Sequence, residues 1–255
     1  MTSQHREEDK EFFLEEGVSS IKLFNQDCVE GMKQLGDESV DLIITDPPFG
    51  CNATLKGDYV DDEEYIKSQI PIWVKEFARL IKDTGHVYIY VPTKYIDNWL
   101  PVVKEELKFN NILSVQNMKY GRRYKNNFRS NTQHILFCSK GRAKNFNKVD
   151  WIRTSDSWFN DKRNTNPERF QYFYPNYVPS EFKATVEESH GHRDEKNTGL
   201  LKVFVELSSE EGDLVLDPFV GSGSTAVACQ ATSRSFVGFE ISEEYFSMGV
   251  RRLLS

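Results

Sequence analysis

Residues 213–231 read DLVLDPFVGSGSTAVACQA: an apolar strand over 213–216, a loop carrying Gly221 and Gly223, and a helix over 224–231. Gly221 and Gly223 lack the Cβ that would hold a ligand away, so the backbone there approaches one closely. Unpaired N–H groups at a helix start favour an electron-rich group, and a nucleotide-like cofactor suits such a loop. The third glycine of the dinucleotide fingerprint is missing, because Ala226 stands in its place. One strand later, after SFVGF over 235–239, comes Glu240. Two readings of it stand side by side. An acidic residue at that point of an α/β sheet accepts hydrogen bonds from ribose hydroxyls, or it caps the last helix, expected over 243–254.

Outward from this unit the alternation of strand and helix repeats. Hydrophobic periodicity predicts strands over 21–25, 40–45, 86–91, 112–118 and 134–138, and helices over 28–35, 63–81, 95–107 and 200–207. Gly85 reads as the stop of helix 63–81, and Pro101 as a start or kink in helix 95–107. Strands spaced this way by helices imply an α/β fold, a mainly parallel sheet covered on both faces. Residues 1–17 are charge-dense without a steady period, apart from Phe12 and Phe13, and read as a surface arm or short helix. From about 139 to 190 the periodicity fails, with Pro167, Pro175 and Pro179 as breakers, which marks an insert.

At 255 residues, one catalytic domain with a modest insert is expected. Hydrophobic and charged fractions of 38% and 28% argue against a disordered chain. No apolar run reaches membrane-spanning length and the N-terminus lacks a signal-peptide pattern, so a cytoplasmic protein is expected. Cys28, Cys51, Cys138 and Cys229 are scattered and read as reduced thiols. A net charge of −7 suits phosphate contact poorly, yet residues 119–169 hold thirteen Lys/Arg against four Asp/Glu. That distribution leaves two readings, a basic face for nucleic acid on an acidic body or a merely solvated basic loop.

The second predicted strand, VDLIIT, runs into Asp46-Pro47-Pro48-Phe49. This is the carboxyl end of a strand, where open α/β sheets hold their reactive groups. Two successive prolines fix φ and remove two backbone donors, leaving rigid carbonyl acceptors beside an aromatic ring. A nucleic-acid base amino group needs such acceptors, since its lone pair is delocalised into the ring. If Asp46 and the Pro47 carbonyl each accept one N–H, the nitrogen moves toward a tetrahedral geometry and presents its lone pair to a methyl donor. Phe49 would stack on a base rotated out of its helix. A plain Pro-rich turn is the competing reading.

Taken together, TDPPFG over 45–50, LDPFVGSGST over 216–225 and VGFEIS over 237–242 resemble the β-group DNA amino-methyltransferases, N6-adenine and N4-cytosine methylases whose catalytic motif precedes the cofactor motif. The likeness covers residues 21–139 and 192–254. It implies a Rossmann-like methyltransferase fold with a mainly parallel seven-stranded sheet, helices on both faces and a circularly permuted motif order. It also implies S-adenosylmethionine as cofactor, no metal, and duplex DNA with an extruded base as partner. The chain then divides into an N-terminal arm (1–20), a catalytic half (21–139), a target-recognition insert (140–190) and a cofactor half (191–255).

By the same resemblance Asp46, Pro47, Pro48 and Phe49 are catalytic, and Asp27 and Cys28 meet the adenine end of the cofactor. Asp217, Phe219, Gly221, Gly223 and Thr225 line its methionine side, and Glu240 its ribose. Residues 192–200, HRDEKNTGL, resemble the family's His-Pro-Thr-x-Lys-Pro-x-x-Leu segment, which adds Lys196 to the cofactor contacts, although Arg193 and Asn197 replace the prolines. Gln133 stands where a family strand usually carries Glu. The insert, with Trp151, Trp158, Tyr172 and Tyr174 among its basic residues, takes the place of the recognition region, and Arg122, Arg123, Lys125 and Arg129 would contact the DNA backbone. Its shortness implies a short recognition sequence, or help from a partner or second subunit such as a homodimer.

Adenine N6 is favoured as target because the motif opens with Asp46, whereas cytosine-directed members more often open with Ser. Cytosine N4, RNA as substrate, a non-catalytic nucleic-acid-binding subunit and a nucleotide-dependent oxidoreductase are the competing readings. His190 and His192 lack a third partner for a metal site.

Overall fold

The protein is described here by a computed structural model, which covers residues 2–4, 10–50, 62–116, 132–144, 146–147, 181–183 and 196–255. In chain order its elements are β1 (Thr2–Gln4), β2 (Glu11–Glu16), β3 (Ser19–Phe24), α1 (Cys28–Met32), β4 (Val40–Thr45), α2 (Glu63–Leu80), β5 (Ile81–Val91) and α3 (Ile96–Glu106). These are followed by β6 (Lys108–Gln116), β7 (Thr132–Ser139), β8 (Glu181–Lys183), α4 (Thr198–Ser208), β9 (Leu214–Asp217), α5 (Ser224–Gln230), β10 (Ser235–Phe239) and α6 (Glu243–Leu253). Among the described residues ten strands join one sheet in the order β1-β2-β3-β10-β9-β4-β5-β7-β6-β8.

At its centre β3, β10, β9, β4 and β5 run parallel, and β7 turns antiparallel between β5 and β6. These are the seven strands expected. Three more extend the sheet: β1 and β2 antiparallel beyond β3, and β8 parallel beyond β6. β2 lies where a surface arm or short helix was expected. Its pairing buries Phe12 and Leu14 against β3, a long-range gain that the local charge pattern hides.

Alternation along the strands builds a core on each face. Leu42 and Ile44 of β4, with Tyr88 and Tyr90 of β5, face α4, α5 and α6. Ile43, Val87, Ile89 and Val91 face α1, α2 and α3. On the second face Trp73 of α2 stacks on Trp99 of α3 and meets the ring of Phe219 edge-on, so the helix layer leans directly on the loop after β9.

Two boundaries differ from the periodicity. α1 stops at Met32 rather than near residue 35, where the Arg79 guanidinium binds the carbonyls of Met32 and Leu35 at 2.8 and 2.9 Å. α2 ends at Leu80, and Gly85 lies inside β5 instead of closing the helix. A Cβ at Gly85 would stand 2.7 Å from the Asp41 carbonyl oxygen, so glycine is required there by the approach of β4. Pro101 lies within α3.

Candidate active site

Sheet order decides which acidic residues meet. Neighbouring parallel strands β3, β10, β9 and β4 end just before Asp27, at Glu240, on Asp217 and at Asp46, so the four follow one another across one edge. With strands about 4.8 Å apart the row spans roughly 14 Å, and it lies at the carboxyl ends, where α/β sheets bind ligands.

Asp27 is the N-cap of α1, its Oδ1 accepting the N–H groups of Val29 and Glu30 at 2.9 and 3.1 Å. Cys28 behind it is buried, and burial together with the Asp27 charge pushes its thiol up to about 12, which keeps it a neutral thiol. Asn25 holds the ends of β3 and β10 together, donating from Nδ2 to the Glu240 carbonyl at 2.8 Å.

Glu240 spans two backbone segments. Oε2 accepts the Gly221 N–H and Oε1 the Ser242 N–H, both at 2.8 Å. The Ile241 N–H also bonds this carboxylate, which leaves about one of its roughly four lone-pair sites for a further donor such as a ribose hydroxyl. Helix α6 is capped by Ser242, whose side chain accepts the Tyr245 N–H, so the helix-capping reading of Glu240 fails. Gly221 and Gly223 take φ of 53° and 83°, left-handed values that other residues avoid. Gly223 also touches α6, where an added Cβ would lie 2.9 Å from the Gly249 Cα.

Asp217 is buried, with Oδ2 accepting the Thr225 hydroxyl at 2.7 Å and Oδ1 the Phe219 N–H at 3.0 Å. Burial, reinforced by the charges of Asp46 and Glu240, pushes its carboxyl up to about 8. Asp217, Thr225 and Phe219 thus form one bonded unit with the glycine loop.

Asp46 stands one strand further on, half-buried, with Pro47 buried behind it. The turn is anchored at its far end: Gly50, at φ 63°, lies under α2, and its carbonyl accepts the Tyr95 hydroxyl at 3.0 Å. Lys94 bridges that hydroxyl at 2.8 Å to Glu63 Oε2 at 3.0 Å. Glu63 also pairs with Lys67, and these bonds draw its carboxyl down to about 2. Sequence reading missed this clamp, since Tyr95 and Lys94 belong to no motif; a tyrosine beside a lysine directly after β5 was the available signal.

Lys196, expected among the cofactor contacts, lies against the Asp46 turn. Its Nζ lies 2.6 Å from Asp46 Oδ2 and over the rings of Phe49 and Tyr90, 5.3 and 5.0 Å from their centroids. Tyr90 is fully enclosed, and burial with the charges of Asp46 and Asp217 drives its hydroxyl far above the usual range. Arg122, Arg123, Lys125 and Arg129, together with nearly all of the insert, lie outside the described residues. Among the described residues no helix is long and apolar enough to cross a membrane, and no cluster of three metal-ligating side chains occurs.

The profile of the family described as DNA methylase, N6_N4_Mtase, matches residues 40–251. The type II methyltransferase M.HpaI of Haemophilus parainfluenzae is 29% identical over 91% of this chain and 74% of its own length. The DNA adenine methyltransferase YhdJ of Escherichia coli K12 is 28% identical over 93% of this chain and 84% of its own. Among solved structures, the cytosine-N4-specific PvuII DNA methyltransferase superposes with a TM-score of 0.70 at 16% identity, covering 92% of this chain and 86% of that one.

Proposed function

Since the chain belongs to the N6_N4 DNA methylase family, we propose that this DNA methyltransferase acts on the N6 amino group of adenine in DNA, with the base turned out of the duplex. The observation that carries this reading is the position of Asp46: it ends the strand adjoining β9, so an amine acceptor and the Asp217–Gly221 loop stand side by side at one sheet edge.

The described residues fit S-adenosylmethionine. Left-handed glycines bring the backbone close, Glu240 keeps an acceptor site for a ribose hydroxyl, and Gln26 Nε2 is a buried donor beside Asp27 without a partner among the described residues. Asp27 and Gln26 would hold its adenine end, Glu240 its ribose, and Asp217 with the glycine loop its methionine end. Bound there, it supplies an electrophilic methyl group.

The remaining work belongs to the chain. Asp46 and the Pro47 carbonyl accept the two N–H bonds of the base amino group, drawing its nitrogen out of conjugation and fixing its lone pair toward the cofactor side. Asp46, an anion beside the nitrogen, stabilises the positive charge that grows there and takes the proton released. Phe49 offers a face for the flipped ring. The tie from Tyr95 to Gly50 keeps the turn from relaxing as the base arrives.

Adenine is favoured by the Asp that opens the tetrapeptide and by the likeness to an adenine methyltransferase over nearly the whole chain. Cytosine N4 is the second reading, since two acceptors serve either amino group and a cytosine-N4 enzyme shares the fold. Base-resolved methylation sequencing of DNA from cells expressing the protein, set against Asp46→Ala, decides between them. N6-methyladenine at one recurrent sequence, absent with the variant, is the expected result; N4-methylcytosine would overturn the adenine assignment.

A further inference from the structure

We propose that Lys196 is the resident ligand of the base-amino acceptor, so that a target base gains its place only by displacing the lysine head. The inference rests on the reading of Asp46 given above. Its ground is where the ammonium lies: 2.6 Å from Asp46 Oδ2, over the Phe49 and Tyr90 rings, with the side chain only 10% exposed. A lysine this buried requires a partner, and here it has a carboxylate and two aromatic faces. Those are the groups a flipped base needs for its amino nitrogen and its ring. A base stacked on Phe49 with its amino group on Asp46 would meet the lysine head, which lies over that same ring and against that same carboxylate.

Lys196 hangs just before α4, whose start is fixed by Asn197 Oδ1 accepting the Leu200 N–H at 2.7 Å. The backbone is therefore held while the flexible four-carbon stem lets the head withdraw. Contacts made elsewhere on the DNA must then supply the free energy of displacement, which penalises a base presented without them. If the acceptor stands open in about one molecule in ten, base affinity is lowered about tenfold.

Two measurements test this. Lysine acetylation followed by peptide mass spectrometry is compared in the wild type and Asp46→Asn without substrate, using exposed Lys75 as internal reference. Loss of the pair is expected to raise the Lys196 rate at least about fivefold, and equal rates would overturn the proposal. Second, Lys196→Met is assayed on unmethylated bacterial genomic DNA alongside calorimetry with S-adenosylmethionine. The expected result is a KM for DNA lowered about tenfold with cofactor affinity within about twofold. Weakened cofactor binding with KM unchanged would make Lys196 a cofactor contact and overturn it. Absence of methyl transfer by the wild type would defeat the assigned function instead, while the acetylation comparison still decides where Lys196 sits.

Discussion

Glu240 Oε2 accepts the Gly221 N–H at 2.8 Å, tying the end of β10 to the loop that follows β9. One carboxylate thus shapes the glycine loop and, on the proposed reading, receives the ribose. Glu240→Ala removes both functions and is expected to weaken S-adenosylmethionine by about 2–3 kcal/mol, the scale of hydrogen bonds to a charged group. Glu240→Gln, which keeps one acceptor, should lose less. Calorimetry measures both, and unchanged affinity would place the ribose elsewhere.

Gly221 and Gly223 should fail in different ways. Gly221→Val forces a β-branched residue to φ 53° and should abolish cofactor binding, and retained affinity would show the loop to be misread. Gly223→Ala drives a Cβ to 2.9 Å from the Gly249 Cα. Overpacking of this kind costs about 1–3 kcal/mol, so its first sign should be a melting temperature lowered by several degrees, roughly 2–4 °C per kcal/mol in a chain this long.

Asp46→Ala should leave S-adenosylmethionine affinity within about threefold and reduce methyl transfer by at least about a thousandfold, because the residue acts on the amino group in the transition state. Single-turnover transfer of labelled methyl to genomic DNA measures the loss. Equal residual activity would remove Asp46 from the mechanism.

Asp217, held up at about 8 chiefly by burial, keeps a proton in the folded chain that the unfolded chain releases near pH 4. Its contribution to stability is complete below about pH 4 and is lost as the pH rises through about 8. A cationic ligand beside it favours the ionised form, so S-adenosylmethionine affinity should climb between about pH 6 and 8 and then level. Asp217→Asn should flatten both dependences in melting and calorimetric series. A parallel slope in that variant would assign the proton to another group.

Tyr95→Phe deletes the hydroxyl that donates to the Gly50 carbonyl at 3.0 Å and receives Lys94 at 2.8 Å. A stability loss of about 1 kcal/mol is expected, with kcat falling more than cofactor affinity because the loosened segment is the acceptor turn. Unchanged kcat would show that the turn is rigid without this tie.

Most of the framework was written locally. β4 and β10 fall on the predicted residues 40–45 and 235–239, since an apolar run bounded by turn residues has one short-range solution. The glycine loop, the Asp46 turn and Glu240 likewise announce themselves by residue type and by position after a strand. Gly85 misled because a glycine beyond a helix resembles a stop, whereas its reason here is the carbonyl of Asp41 on a neighbouring strand.

The sequence by itself determined the strand–helix alternation and the chemistry at each strand end, because hydrophobic period, proline and glycine act over a few residues. Only the tertiary structure decided that Asp27, Glu240, Asp217 and Asp46 stand in a row, that β2 extends the sheet beyond β3, and that Lys196 rests on Asp46. Strand order and side-chain meeting depend on which distant surfaces bury each other best. That balance is struck across the whole core, and no short window of sequence carries it.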